Sequence, residues 1–307
     1  MKRALLCIAG FFCLSTVSFS QVARAYTGPI IDVHMHCYTD KEWQDNNIPN
    51  PVTGKPLTAR SAEDHFRETL SEMKRLNVVK GIVSGEGYAV AQKWKQKDPA
   101  RFLTGFGIDD PGNFDIDALR REIKAGRVDL IGEVDPQYWG YAPNDPRLDP
   151  IFSLAEEMDI PVGFHIHPGP WGAVYKGFPL MRQKNNSPLL LEDVIIKHPK
   201  LRLYVMHAGY PRIDEMINML YAYPQLYVDI GVIDWTRPTA EFHRYLERLV
   251  ESGFGDRVMF GSDQMVWTDS IAMAIANIQS AKFLTAKQKR AIFYDNAVRF
   301  LKLDRKK

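Results

Sequence analysis

The chain has 307 residues, with 39 Lys and Arg against 37 Asp and Glu, a formal net charge of +2. The basic residues are scattered along it. A phosphate-binding surface needs them concentrated, so nucleic acid is excluded as an expected partner. The length suits one large core, and no solenoid repeat, low-complexity tract or long linker divides the chain.

The first element in chain order is a leader. Lys2 and Arg3 precede an apolar run from Ala4 to Val17, and Ala23-Arg24-Ala25 supplies a small-x-small site. This is the layout of a secretory signal peptide cut after Ala25, which predicts a periplasmic or secreted protein with no membrane attachment once the leader is removed. The alternative is a membrane anchor, but the run falls short of the roughly 20 residues that span a bilayer. Cleavage removes Cys7 and Cys13 and leaves Cys37 alone, so residues 26–307 must fold as a single domain without an internal disulfide.

Eight short β-branched or aliphatic runs follow: Ile30–His34, Val79–Val83, Phe102–Phe106, Leu130–Val134, Val162–Ile166, Leu203–His207, Leu226–Ile230 and Val258–Asp263. Between them lie amphipathic stretches, including Ala62–Leu76, Asp117–Ala125, Arg147–Glu157, Ile213–Tyr221 and Thr239–Glu251. From His34 to Asp263 the repeat averages about 33 residues, the size of a strand-helix-strand unit. Eight such units predict an α/β fold, a (β/α)₈ barrel of parallel strands. An open doubly wound sheet is the alternative architecture. His34, His36, Glu86, Asp109, Glu133, His165, His207, Asp229 and Asp263 all stand at or just past the C-terminal end of a run. In a barrel those ends share one face, where active sites are built.

The segment Asp32-Val33-His34-Met35-His36 is the strongest local signal. Residues two apart on a strand share a face, so His34 and His36 can offer nitrogen to one metal. His165 and His167 repeat the spacing on the fifth strand. One of them is expected to be a ligand, with His165 favoured because it lies nearer the strand body and His167 left as a substrate contact or structural hydrogen-bonder. His207, followed by Ala208 and Gly209, is either a further ligand or a general acid/base. Asp263 can bind a metal through one oxygen and take a proton from water through the other; a helix N-cap is the structural alternative. Glu133 can bridge to a second metal, contact substrate or pair with a lysine. Asp229 and Glu86 suit salt bridges or helix caps as well as function. His65, His198 and His243, flanked by charged residues, are expected at the surface.

Taken in order, DVHMH, PVGFHIHPG, VMHAGYP and VMFGSDQMVW resemble the amidohydrolase superfamily, specifically its amidohydrolase-related ("amidohydrolase 2") branch, and the similarity runs from Ile30 to the Asn296–Leu301 segment. The resemblance implies a distorted (β/α)₈ barrel holding one or two divalent metals, often zinc, with manganese as an alternative. It implies His34, His36, His165 and Asp263 as ligands, with His207 catalytic in a mononuclear centre or a ligand in a binuclear one. No lysine stands in the fourth run to be carboxylated as a bridge, and Glu133 resembles the glutamate that some binuclear relatives use there. The expected activity is hydrolysis of a lactone, ester or amide of a small molecule, with Asp263 and His207 as the catalytic groups. Trp171, Arg212 and Trp235 are candidate substrate contacts, and Trp139, Tyr141 and Tyr175 lie in neighbouring loops. The first rival is a metal-dependent non-oxidative decarboxylase of an aromatic or unsaturated acid, for which Arg212 or Arg237 would face the metal. The second is a non-catalytic binding protein. A homo-oligomer is compatible with all three.

Overall fold

The computed structural model describes residues 25–85, 88–108 and 110–305. Residues 1–24 of the leader, Glu86 and Asp109 lie outside the described residues. Eight strands form one parallel sheet in sequential order: β1 (Ile30–His36), β2 (Val78–Ser84), β3 (Phe102–Ile108), β4 (Leu130–Val134), β5 (Val162–His165), β6 (Leu203–Met206), β7 (Tyr227–Asp229) and β8 (Val258–Met259). The seam between the last strand and the first is joined by Val33 N–H donating to Phe260 O (3.0 Å) and Asp263 N–H donating to His34 O (2.8 Å). The (β/α)₈ barrel expected from the alternation is therefore the observed fold.

The barrel interior is a packed core, as the alternation of strand side chains requires. Ile31, Val33, Ile82, Leu103, Leu130, Tyr204, Met206 and Met259 form one buried cluster. The C-terminal helix Asn296–Leu301 closes it from below through Ala297, Phe300 and Leu301. From β5 comes Gly163, where a Cβ would sit 2.5 Å from the Tyr204 hydroxyl, so the tyrosine fills the space a side chain would have taken. A larger cluster between sheet and helices takes the opposite faces, for example Val162, Phe164, Leu203, Val205 and Val258. Each fully buried side chain of this size contributes about 1.5–3 kcal/mol.

Two strands break the alternation where the site begins. Along β1, Asp32 pairs with Gly81 and Met35 with Val83, three steps against two. The extra residue turns the phase: Ile31 and Val33 face the interior, yet Met35 joins the outer cluster and His34 and His36 turn to the mouth. Between Ile131 and Val134 in β4 the same mismatch occurs, so Leu130 points inward, Ile131 and Val134 outward, and Glu133 inward. Bulges of this kind re-aim side chains near active sites.

The expected runs at β6 and β8 are cut short for a related reason. His207 (φ 59°), Ala208 (φ 50°) and Asp263 (φ 46°) adopt left-handed backbone, which ends the ladder and bends each functional side chain back over the barrel. Helices begin where capping residues stand: Ser61 accepts from Asp64 N–H, and Asp115 from Asp117 and Ala118 N–H.

Two of the histidines expected at the surface are buried. His65 is fully enclosed, stacked on Trp43 with ring centroids 5.0 Å apart, because it belongs to the inward stripe His65, Phe66, Thr69 and Met73 of its helix. His198 is buried with Nε2 3.0 Å from Asp149 Oδ1. His243 is half-buried, its Nε2 2.9 Å from Asn277 O.

Candidate metal centre

Six side chains from five strands meet at the barrel mouth. His34 Nε2 and His36 Nε2 lie 3.3 Å apart. Glu133 Oε2 is 3.3 Å from the first and 3.4 Å from the second. Asp263 Oδ1 reaches His36 Nε2 at 3.0 Å and His34 Nε2 at 3.8 Å. On the other side, Glu133 Oε1 is 3.8 Å from His165 Nε2 and 3.6 Å from His207 Nε2. Three groups have ligand atoms within 4.8 Å of one another: His34, His207 and Asp263; His34, His36 and Glu133; and Glu133, His165 and His207. Glu133 thus stands between a strand-1 pair and a strand-5/strand-6 pair.

A second ring of contacts fixes the rings in place. His34 Nδ1 is 3.0 Å from Asp229 Oδ2, and His207 Nδ1 is 2.9 Å from Gly231 O. Both imidazoles therefore turn Nε2 to the centre, as ligating histidines do when the other nitrogen is held by a carboxylate or carbonyl. Gln264 clasps the His36 backbone, accepting from its N–H (3.0 Å) and donating to its carbonyl (2.8 Å). Gln137 Nε2 donates to His165 O at 2.7 Å and lies against His165 Nδ1. Asp32 accepts from His34 N–H (3.1 Å) and Ser262 N–H (2.9 Å), tying β1 to the segment that carries Asp263.

The electrostatics favour positive charge at the centre. Burial opposes ionisation of Asp263, but His34, His36 and His207 outweigh it and hold the carboxyl below the usual carboxylate range. Glu133 behaves alike: burial is overcome chiefly by His34 and His207, and its carboxyl is held well below the usual range. Burial also opposes charge on His34, yet Asp263, Asp229 and Glu133 push its pKa well above the ordinary value. His165 differs, since burial dominates and lowers it to about 3, with Glu133 offsetting only in part. A field that draws protons onto buried imidazoles equally suits a cation.

A divalent cation fits these residues. Imidazole nitrogen with carboxylate oxygen is the donor set of zinc and manganese sites. His207 Nε2 is buried with no hydrogen-bond partner among the described residues, a condition a metal relieves.

His167 is set apart from this cluster. Its ring is 5.0 Å from that of His207, and its Nδ1 accepts from Gly169 N–H at 3.1 Å, so it stands beside the centre. It lines a cavity of about 630 Å³ together with Trp171, Tyr175, Tyr210, Arg182 and Arg237. Trp171 is thus at the pocket as expected, with its side chain largely in solvent. Arg212 is spent elsewhere, on Glu215 Oε1 (2.9 Å) and Gln183 O (3.2 Å), and does not line this cavity. Trp235 is a packing residue: it is buried, its indole N–H donates to Ser262 O (2.8 Å), and it meets Trp267 edge-on. No local sequence pattern distinguishes Gln137, Tyr138 and Gln264 at the site from ordinary loop residues.

The chain belongs to the amidohydrolase family, whose pattern matches residues 31–303. No curated protein matches it. Among solved structures, an uncharacterised TIM-barrel protein from Bordetella bronchiseptica is 19% identical, with 89% of this chain and 98% of that chain covered and a TM-score of 0.71. A probable 2-pyrone-4,6-dicarboxylic acid hydrolase from Acinetobacter baumannii is 14% identical over 89% and 99% of the two chains, with a TM-score of 0.63. A manganese-complexed 5-carboxyvanillate decarboxylase from Novosphingobium aromaticivorans is 16% identical over 90% and 96%, with a TM-score of 0.58. At these identities the likeness is one of fold.

Proposed function

We propose that this protein is an exported metal-dependent hydrolase that directs water against a carbonyl-type bond, a lactone, ester or amide, of a small molecule. The observation that carries the reading is the convergence of His34, His36, Glu133, His165, His207 and Asp263 at one rim. His34, His36 and Asp263 would hold a divalent cation, zinc first and manganese as the alternative, with His165 as the further ligand of a single-ion centre; in a two-ion arrangement His165 Nε2 would instead join Glu133 and His207 around the second. Such a cation supplies Lewis acidity, acidifying water and polarising a carbonyl oxygen.

The protein's own groups handle the protons. Asp263, kept ionised by its imidazole neighbours, accepts the proton of the attacking water. In a single-ion centre His207, its Nδ1–H donated to Gly231 O, carries a second proton on Nε2, which burial opposes and Glu133 and Asp263 favour, and delivers it to the leaving group. Asp229 and Gln264 keep His34 and His36 aimed at the reacting atoms. Export to the periplasm or beyond rests on the leader sequence alone, and the scattered charge supports a small-molecule substrate over a nucleic acid.

A second reading, non-oxidative decarboxylation, draws support from Arg237. Its Nε is buried without a hydrogen-bond partner, it makes no ion pair among the described residues, and no carboxylate side chain lines its cavity. An arginine so placed favours an anionic substrate. The structural likeness to both a pyrone hydrolase and a carboxyvanillate decarboxylase is compatible with either chemistry. Assay against lactones, esters, amides and aryl acids separates them: chelator-sensitive hydrolysis lost in Asp263→Asn is expected, and CO₂ release without hydrolysis selects the second reading. Full chelator-sensitive hydrolysis by Asp263→Asn would overturn the assigned role of that carboxylate.

A further inference from the structure

We infer that Tyr138 is a catalytic residue, its hydroxyl donating a hydrogen bond to the substrate oxygen that becomes negative at this centre. The inference rests on the metal-dependent reading above and adds a hydroxyl donor beside the six clustered residues, among which only His207 Nε2 keeps a proton to give, and that proton is committed to the leaving group.

Tyr138 follows β4 in the short helical turn Pro136–Trp139. Within that turn two neighbouring residues serve the two nitrogens of one imidazole: Gln137 lies on His165 Nδ1, and the Tyr138 hydroxyl is 3.5 Å from His165 Nε2. The second nitrogen is the one that faces Glu133 Oε1 and belongs to the convergent ligand set. With its lone pair committed to a cation, that nitrogen takes no proton from the tyrosine. That proton then turns to the next acceptor over the centre, the substrate oxygen.

Packing fixes the ring for this task. Phe178 meets it with centroids 4.6 Å apart, and His165 lies 5.2 Å away. Gly169, held at φ 75°, allows the close approach, because a Cβ there would stand 3.1 Å from the hydroxyl oxygen. Fixed donors aimed at developing charge need no reorganisation as the reaction proceeds, and removing one costs about 10²–10³ in kcat.

The test uses Tyr138→Phe, which keeps the ring and its packing. Phenylphosphonate serves as a probe, a tetrahedral oxyanion on a flat apolar group, with affinity read by calorimetry on the zinc-loaded protein and metal content read in parallel. Unchanged metal content and melting temperature are expected, with phenylphosphonate affinity lowered about tenfold or more, as for loss of a hydrogen bond to a charged group. Hydrolysis should lose kcat with little change in KM. Equal probe affinity in both proteins, or no metal-dependent binding to the wild type, overturns the role of Tyr138 while leaving the metal centre intact. A wild-type protein that takes up no metal overturns both. Phe178→Ala, which leaves the hydroxyl but loosens the ring, should give an intermediate loss; an affinity as low as that of Tyr138→Phe with normal melting would show packing, and not the hydroxyl, to be the cause.

Discussion

Asp229 and His34 are both fully buried, and Asp229 Oδ2 lies 3.0 Å from His34 Nδ1 across the closing seam of the barrel. The other oxygen of the same carboxylate accepts from His207 N–H (2.9 Å) and Gly231 N–H (3.0 Å). One side chain therefore orients a strand-1 imidazole and anchors the turn that presents the strand-6 imidazole. Asp229→Asn replaces an acceptor by a donor at one of these positions. Zinc affinity, measured by competition with a chromophoric chelator, is expected to fall about 10–100-fold, the usual loss for an orienting partner. Unchanged affinity would assign Asp229 to the fold alone.

Gly261 makes a sharper steric prediction. A Cβ at this position would stand 2.7 Å from His34 Cβ and 3.3 Å from Asp229 Oδ2. Nothing in the left-handed region constrains the residue, so the effect of Gly261→Ala is contact alone. Such overpacking costs about 1–3 kcal/mol. A lower melting temperature and a weaker zinc-induced rise in it are expected by differential scanning fluorimetry. A variant with the wild-type zinc response would mean that His34 has room to move.

Part of the acid sensitivity should trace to His65, in addition to the buried His165. Burial between aromatic rings lowers its pKa from 6.5 to about 3, the Met265 backbone offsetting a little. The folded state therefore keeps His65 neutral while the unfolded chain binds a proton below pH 6.5. This contribution is fully present above pH 6.5 and is lost as pH falls towards 3, reaching about 2 kcal/mol at pH 5. Urea unfolding of chelator-treated protein at pH 7.5 and 5 should show the loss, and His65→Phe should shrink it by that order. Equal pH dependence in the two proteins would place the acid sensitivity elsewhere.

Arg237 tests what the cavity accepts. Arg237→Met is expected to raise KM for carboxylate-bearing substrates about tenfold or more, as for a lost charge-assisted hydrogen bond. Neutral esters should be affected little. Equal effects on both, measured in steady-state kinetics, would make Arg237 a wall of the pocket and not an anion anchor.

What was legible in the chain follows from how local each cause is. Alternation and strand-helix spacing placed all eight strands, with β4 at its observed bounds Leu130–Val134. The His34, His36, His165, His207 and Asp263 set was legible because each closes an apolar run, and barrel closure brings such ends together. Glu133 was harder: its inward aim depends on the irregular register of β4 against β5, a property of the pair of strands. His65 departs from its expected surface position because its charged neighbours mask an inward stripe shared with Thr69 and Met73, four and eight residues on. His198 gave no local sign, since Asp149 and Glu156 reach it from another helix. Trp235 departs from the expected substrate contact because loop position alone does not reveal that Ser262 O captures its indole N–H. Tyr138 reaches the site only because Pro136–Trp139 coils beneath the strand-5 loop.

The most direct test of the whole account is metal stoichiometry by plasma mass spectrometry after equilibration with zinc and removal of free ion. Wild-type protein should retain one or two ions per chain, and a folded His34→Ala, His36→Ala double variant should lose at least one of them. Equal retention by the two proteins, or none by the wild type, would contradict a cation-binding centre at this rim.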